Sequence, residues 1–225
     1  MSAALGSDAP YMLPVATKVQ LPDAMGSQTA TCFTIDDLLS SDECQRLIDM
    51  SEGCSYEPAL VNVGMGQQML MTDTRKSGRV IIDSKAAADK IWQRLQHLIP
   101  QAGNDVVAWS PVGLNERFRF LKYEPGDYFA PHRDGNYEQM TGPNRGDVSF
   151  MTLMLYLNEP TRGGETNFLT FRSAGDDTVR VMPRPGLALV FDHEILHEGA
   201  TLLEGVKYCI RTDIMFRQMR RPRGT

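Results

Sequence analysis

The stretch Tyr123-Glu124-Pro125-Gly126-Asp127-Tyr128-Phe129-Ala130-Pro131-His132-Arg133-Asp134-Gly135 reads as a short strand running into a His-x-Asp pair. Pro125-Gly126 bounds it on one side and Gly135-Asn136 on the other. Residues two apart on an extended strand point the same way, so His132 and Asp134 face together and Arg133 faces away. One imidazole and one carboxylate on one face offer two ligands for a divalent metal. A histidine from elsewhere would complete a 2-His-1-carboxylate set, the arrangement that holds non-haem Fe(II) and leaves positions open for reactants.

Three other histidines are available, His97, His193 and His197. His97 lies in a helical pattern with no ligand type nearby and reads as structural or solvent-facing. Leu187 to Phe191 is an apolar run that fits a buried strand, and it leads into Asp192-His193-Glu194-Ile195-Leu196-His197-Glu198-Gly199. His197 sits near the next turn or strand, which can return it to the metal. The same segment matches the H-E-x-x-H zinc-protease pattern, which requires a helix to bring positions i and i+4 together. Pro183, Pro185 and Gly186 just before it and Gly199 just after leave too little chain for both a strand and such a helix. No downstream histidine supplies the further protein ligand such a protease needs.

Around this segment the pattern is that of many short strands. Residues 116 to 123 alternate, and 148 to 158, 165 to 169, 178 to 182, 187 to 191 and 206 to 216 follow, separated by turns rich in Gly, Pro and Asn. This argues for a sandwich or jelly roll with helices packed outside it. Ser40-Ser41-Asp42-Glu43 has the form of a capping box and opens one helix. Asp83-Ser84 opens a second, with Ile91, Leu95, Leu98 and Ile99 as its apolar stripe, stopped by Pro100. Residues 1–27 read as a flexible N-terminal arm, and 28–217 as one domain, with helical support over 36–115 and a jelly-roll core over 116–217. Residues 218–225 read as a basic tail. The methionine cluster Met65, Met69 and Met71 reads as filler for irregular core gaps.

Composition excludes several classes. The 225 residues carry a net charge of −5, which gives no general reason to expect nucleic acid or an anionic membrane as partner. No run approaches the roughly 18 apolar residues of a membrane span, and no basic start followed by an apolar core marks a signal peptide. Cys32, Cys44, Cys54 and Cys209 have no zinc-type spacing. Reduced thiols in an intracellular, cytoplasmic setting are the expectation. Oligomeric state is not readable.

From Tyr123 onward the chain resembles the Fe(II)/2-oxoglutarate-dependent dioxygenases, on the branch containing the prolyl 4-hydroxylase catalytic domain. The pieces that carry the resemblance are Lys122-Tyr123-x-x-Gly126, His132-x-Asp134, Met154-Leu-Tyr156-Leu157-Asn158, Gly163-Gly164-Glu165-Thr166, Pro185-Gly186-x-Ala188-x-x-Phe191, and His197-x-Gly199 followed by Gly205-x-Lys207-Tyr208. The fold this implies is mostly β with flanking helices (α+β), around a double-stranded β-helix, or jelly roll. The resemblance makes His132, Asp134 and His197 the metal ligands and catalytic set, and Lys207 the partner of the distal carboxylate of 2-oxoglutarate. Tyr156 and Tyr123 match tyrosines of the same pocket. It implies Fe(II), 2-oxoglutarate and O2, with ascorbate as an optional accessory. The reaction implied is hydroxylation of an unactivated C–H bond with release of succinate and CO2. A prolyl residue of a protein or peptide is the first substrate. A free amino acid or other small molecule is the alternative, and a catalytically silent 2-oxoglutarate-binding regulator is another.

Charge spacing adds to the resemblance. A dicarboxylate buried in a barrel needs a fixed cation. Lys207 and Arg211, four apart on one strand, face the same way and are both candidates. Arg211 reads equally well as a structural ion pair, with Asp213 as its partner. Arg75-x-Ser77-Gly78 loosely resembles a segment bordering the peptide groove of prolyl hydroxylases but reads as a turn.

Overall fold

Reciprocal hydrogen bonds between Ser40 and Glu43 open helix α1 (Ser41–Glu52): the Ser40 hydroxyl accepts from the Glu43 N–H at 3.2 Å, and the Glu43 carboxylate accepts from the Ser40 N–H at 2.9 Å. Ser84 caps α2 (Lys85–Leu95) by accepting from the Ala87 N–H at 3.3 Å. A 3-10 turn over Gln96–Leu98 ends this helix before Pro100. Arg94 ties the two helices together, donating to both Glu43 oxygens at 2.6 and 2.9 Å. The computed structural model describes residues 1–6, 14–22, 30–64, 67–103, 108–170 and 178–219.

Two antiparallel sheets follow from the alternating segments. Their strands, in chain order, are β1 (Ala16–Lys18), β2 (Cys32–Ile35), β3 (Glu57–Pro58), β4 (Arg75–Lys76), β5 (Gly78–Asp83), β6 (Ala102–Gly103), β7 (Ala108–Leu114) and β8 (Arg117–Tyr123). Then come β9 (Tyr128–His132), β10 (Val148–Tyr156), β11 (Thr166–Phe168), β12 (Val179–Val181), β13 (Ala188–Asp192), β14 (His197–Gly199) and β15 (Lys207–Gln218). The larger sheet runs β1-β2-β13-β10-β15-β8-β5-β3, with β7 pairing to both β15 and β6. The smaller runs β12-β11-β14-β9-β4.

The period-2 alternation sorts side chains into two cores. On β15, Ile210, Ile214 and Phe216 pack against the helices, while Cys209 packs between the sheets. On β13, Ala188 and Val190 face the helices, and Leu189 and Phe191 face the smaller sheet. That strand reads as an unbroken apolar run because both of its faces are buried. Gly186, just before β13, has φ +80°, and a Cβ there would lie 2.1 Å from the Leu39 carbonyl oxygen. Only glycine lets these two backbones approach so closely.

Several expectations need correction. Residues 1–27 are not a loose arm where described. Leu5 is buried in the helix-side core, the Gly6 N–H donates to Glu43 at 2.7 Å, and β1 pairs with β2. Apolar Leu5 and a backbone edge on β2 supply docking that composition does not reveal. The span 36–115 is more than helical support, since it contributes β5 and β7 to the larger sheet. Residue 218 still belongs to β15, and the Met219 N–H donates to the Ala108 carbonyl; 220–225 of the basic tail lie outside the described residues. Met69 and Met71 are exposed on or beside a surface ribbon, so they fill no core gap; Met65 lies outside the described residues. Among the described residues no helix is long and apolar enough to cross a membrane.

Candidate active site

β9 ends at His132, β14 begins at His197, and the two residues pair in register, with rings 4.2 Å apart centre to centre. Each ring is oriented from behind. Nδ1 of His132 donates to the Ala130 carbonyl and Nδ1 of His197 to the Ile195 carbonyl, both at 2.9 Å. A carbonyl only accepts, so the proton sits on Nδ1 and each Nε2 keeps its lone pair. Residues 193–196 form a turn and not a helix, which removes the zinc-protease geometry.

Asp134 lies just beyond the end of β9, and its N–H donates to the His193 carbonyl at 3.1 Å. Its carboxylate faces both imidazoles: Oδ1 is 3.9 Å from Nε2 of His132 and Oδ2 is 3.8 Å from Nε2 of His197. One ligand atom from each of the three residues lies within 4.8 Å of the others. Two free imidazole nitrogens and one carboxylate oxygen fit a divalent first-row metal with coordination positions left open. Burial, and then the neighbouring His197 ring, push the His132 imidazole down to about 3. Burial lowers His197 as well, so both rings are neutral and ready to ligate at pH 7. Burial alone would raise the Asp134 carboxyl, but Arg211, His197 and His132 together outweigh it and hold the group well below the usual carboxylate range.

Both Asp134 oxygens are steadied from outside the triad. The Thr152 hydroxyl donates to Oδ2, and Arg211 Nη2 meets Oδ1 at 3.0 Å. The same Nη2 meets Asp213 Oδ1 at 3.1 Å. Arg211 was a candidate for holding 2-oxoglutarate. The structure gives it to two carboxylates of the chain instead, its structural reading, with one of them being Asp134.

Lys207 begins β15, opposite Tyr123 on β8. It is 3% exposed, and its Nζ donates to the Gly164 carbonyl. Nζ lies 5.1 Å from the Tyr123 ring centre and 5.5 Å from that of Tyr156. Gly164 has φ +78°, and a Cβ there would press within 3.2 Å of the Lys207 stem. Among the described residues no carboxylate lies within 4.0 Å of this ammonium. Burial holds its pKa below the usual lysine value. An ammonium has three donors, so one carbonyl leaves it short of partners, a costly state unless an anion arrives. The Tyr156 hydroxyl, fully buried, shares a 2.6 Å hydrogen bond with Thr166 beside it. The three ligands, Lys207, Tyr123 and Thr166 line one cavity of about 480 Å³. That space matches a small cosubstrate plus the reacting end of a substrate.

Arg75 and Thr152 were missed by the sequence reading, whereas His193 reads from the sequence as a neighbour of the ligands or a surface residue, and the structure buries it beside them. Arg75 is not in a turn: it starts β4, is buried, stacks 4.6 Å over the Phe129 ring and lines the cavity. Thr152 was legible in principle, since it lies two and four residues before Met154 and Tyr156 on β10 and so shares their face. His193 is 1% exposed, with Nδ1 3.1 Å from Asn136 Oδ1 and Nε2 3.8 Å from Asp213. His97 is remote, exposed, and hydrogen-bonded to the Pro14 carbonyl at 3.3 Å.

The family model for the 2OG-Fe(II) oxygenase superfamily matches residues 118–212, which run from β8 through β15 and contain every residue of the triad and Lys207. Prolyl 4-hydroxylase 1 of Arabidopsis thaliana is 26% identical over 193 residues, covering 78% of this chain and 65% of its own length. Probable prolyl 4-hydroxylase 3 of the same plant is 25% identical over 198 residues, covering 78% and 66%. The chain thus spans about two thirds or slightly less of these curated relatives. Among solved structures, the viral collagen prolyl hydroxylase of Paramecium bursaria Chlorella virus-1 superposes with a TM-score of 0.53 at 21% identity, covering 84% of this chain and 97% of that one. A Trichoplax adhaerens prolyl hydroxylase, solved with a hypoxia inducible factor peptide fragment, gives 0.58 at 16% identity, covering 83% and 84%. At these identities the superpositions speak for the fold. The family model takes in fewer than half of the 225 residues, and within that stretch the matched motifs and the His132–Asp134–His197 cluster make this chain similar to the 2OG-Fe(II) oxygenase superfamily and to its prolyl 4-hydroxylases.

Proposed function

We propose that the protein is an Fe(II)- and 2-oxoglutarate-dependent hydroxylase acting on a prolyl residue of a peptide or protein. One observation carries this reading: a buried ammonium with a single carbonyl acceptor opens on the same cavity as three preorganised metal-ligand side chains. When bound, the ferrous ion and 2-oxoglutarate, with O2, supply the oxidising chemistry that releases succinate and CO2 and hydroxylates a C–H bond.

The chain's own residues have separable tasks. His132, Asp134 and His197 hold the metal, with Nδ1 donation to Ala130 and Ile195 fixing the tautomers. Thr152 and Arg211 keep the Asp134 carboxylate in one orientation. Lys207 binds the far carboxylate of the cosubstrate, and Tyr123, Tyr156 and Thr166 wall that end and exclude water. A peptidyl substrate is supported by the names of the relatives, which are prolyl hydroxylases, and by the peptide in one of the solved neighbours.

The test is succinate release with Fe(II) and 2-oxoglutarate, with and without proline-containing peptides. Stimulated, metal-dependent succinate formation that disappears in His132→Ala and His197→Ala is expected. Near wild-type succinate formation by either variant would refute the ligand assignment, and binding of 2-oxoglutarate without turnover would favour a silent regulator.

A further inference from the structure

The cavity that holds the triad is unusually cationic for a chain with net charge −5. Six basic side chains, Arg75, Arg79, Arg119, Arg133, Lys207 and Arg211, line it against three carboxylates, Asp134, Glu198 and Asp213. A divalent metal and a dicarboxylate entering together cancel one another and leave this excess in place. Two carboxylates are already engaged, Asp134 with Arg211 and Asp213 with Arg211 and Arg119, and Glu198 accepts from the Asn167 amide at 2.8 Å.

The arginines form a row on one sheet face. Arg119 on β8 stands directly opposite Arg211 on β15. On the other side of β8, Arg79 on β5 stands opposite Leu121, which shares a face with Arg119. Like charges so placed repel; Glu57, opposite Arg79 on β3, and Asp213, shared by Arg119 and Arg211, offset part of that repulsion. Arg119 reaches one carboxylate oxygen of Asp213 at a long 3.4 Å, although four-fifths of its side chain is buried. Arg79 makes a 3.3 Å contact with the Gln68 amide oxygen and, among the described residues, has no carboxylate within 4.0 Å. Burial, followed by the Arg75 charge, lowers the pKa of Arg79 against the opposing carboxylate of Glu57. Burial also lowers that of Arg119, with Arg211, Arg117 and Arg79 adding to the effect against Asp213.

We propose that Arg79 and Arg119 form an anion subsite for the substrate, so that the preferred substrate carries a carboxylate close to the carbon that is hydroxylated. This rests on the hydroxylase reading and narrows its substrate to one that carries a carboxylate. Guanidinium matches a carboxylate in a bidentate fork, and a partly buried site strengthens the pairing. The carboxylate has two sources, an Asp or Glu side chain flanking the target proline, or the α-carboxylate of a free amino acid.

The experiment compares four probes in 2-oxoglutarate turnover by wild-type enzyme. Three are end-blocked Ala-Pro-Ala peptides flanked by Glu, Gln or Lys, and the fourth is free L-proline. A KM at least tenfold lower for a carboxylate-bearing probe than for the Gln peptide is expected, with the gap shrinking as NaCl is raised. Preference for the Glu peptide identifies a side-chain carboxylate, and preference for free L-proline identifies an α-carboxylate. Arg79→Glu should erase the preference or turn it toward the Lys peptide, and Arg119→Gln should weaken it, readouts that loss of fold would not mimic. Equal KM values for Glu and Gln peptides with no response to L-proline, or a preference unchanged in both variants, overturn the subsite. Basal turnover that none of the four probes stimulates also overturns it. An enzyme that forms no succinate with any probe overturns the hydroxylase reading itself.

Discussion

Replacing Lys207 with methionine should leave the fold intact or slightly more stable while removing the grip on 2-oxoglutarate. The side chain is 3% exposed and its ammonium has one carbonyl acceptor, so without cosubstrate its charge is a burden on the fold. Exchanging buried charge for a hydrophobe of similar volume is often neutral or stabilising by about 1–4 kcal/mol. For a chain of this size that is a melting shift from zero to roughly 16 °C upward, at about 2–4 °C per kcal/mol. A charge-assisted hydrogen bond to the cosubstrate contributes about 1.5–3 kcal/mol, or roughly 10- to 150-fold in affinity. Arg211→Met supplies the contrast. It strips Asp134 and Asp213 of their shared partner, and breaking a buried pair costs about 3–5 kcal/mol, a fall of roughly 6–20 °C. Thermal melts of metal-free protein and 2-oxoglutarate titrations of succinate formation read both effects. A Lys207→Met protein that melts well below wild type with an unchanged 2-oxoglutarate requirement would refute the reasoning, as would the opposite ranking of the two variants.

Thr152→Val removes the hydroxyl that donates to Asp134 Oδ2 and should weaken metal binding about tenfold, measured by anaerobic titration with Mn(II). An unchanged affinity would show that the hydroxyl does not orient the ligand. Asp192 is pushed up to about 6 by burial, helped by Glu194 and opposed by the Thr31 N–H, so the folded state holds its proton more tightly than the unfolded state. Its contribution to stability is therefore fully present below about pH 4 and is lost as pH rises through about 6. Asp192→Asn should flatten that part of the stability–pH curve relative to wild type, and parallel urea-melt curves between pH 4 and 7 would contradict it. Gly186→Ala forces a side chain into the left-handed region and onto the Leu39 carbonyl, and should lower stability by about 2 kcal/mol or more in urea denaturation.

Much of the site was legible because its signals are local. The i, i+2 spacing of His132 and Asp134 and the flanking Pro and Gly residues define a strand end, and the lack of room around His193–His197 argues against a helix. Both helix starts were written in Ser40–Glu43 and Ser84. What the sequence hid is long-range. The spacing near Arg211 offers Asp213 as its partner, but nothing there says that it also holds Asp134, seventy-seven positions away on another element. Nothing near Leu5 or Ala16 says that a sheet edge and a helix-side core await them. Arg75 reads as a turn by composition, and only its pairing with β9 reveals a strand at the cavity.

The metal-ligand histidines stand on the smaller sheet and Lys207 on the larger one. Behind the cavity on which both open, Phe168, Phe191, Tyr156 and Leu202 pack in the core between the sheets, and none of them ligates a metal. These side chains act as a spacer block between two jaws. A diacid is gripped at both ends only if its length matches the block, so trimming a ring there should retune which carbon-chain length is accepted, with every ligating residue left in place.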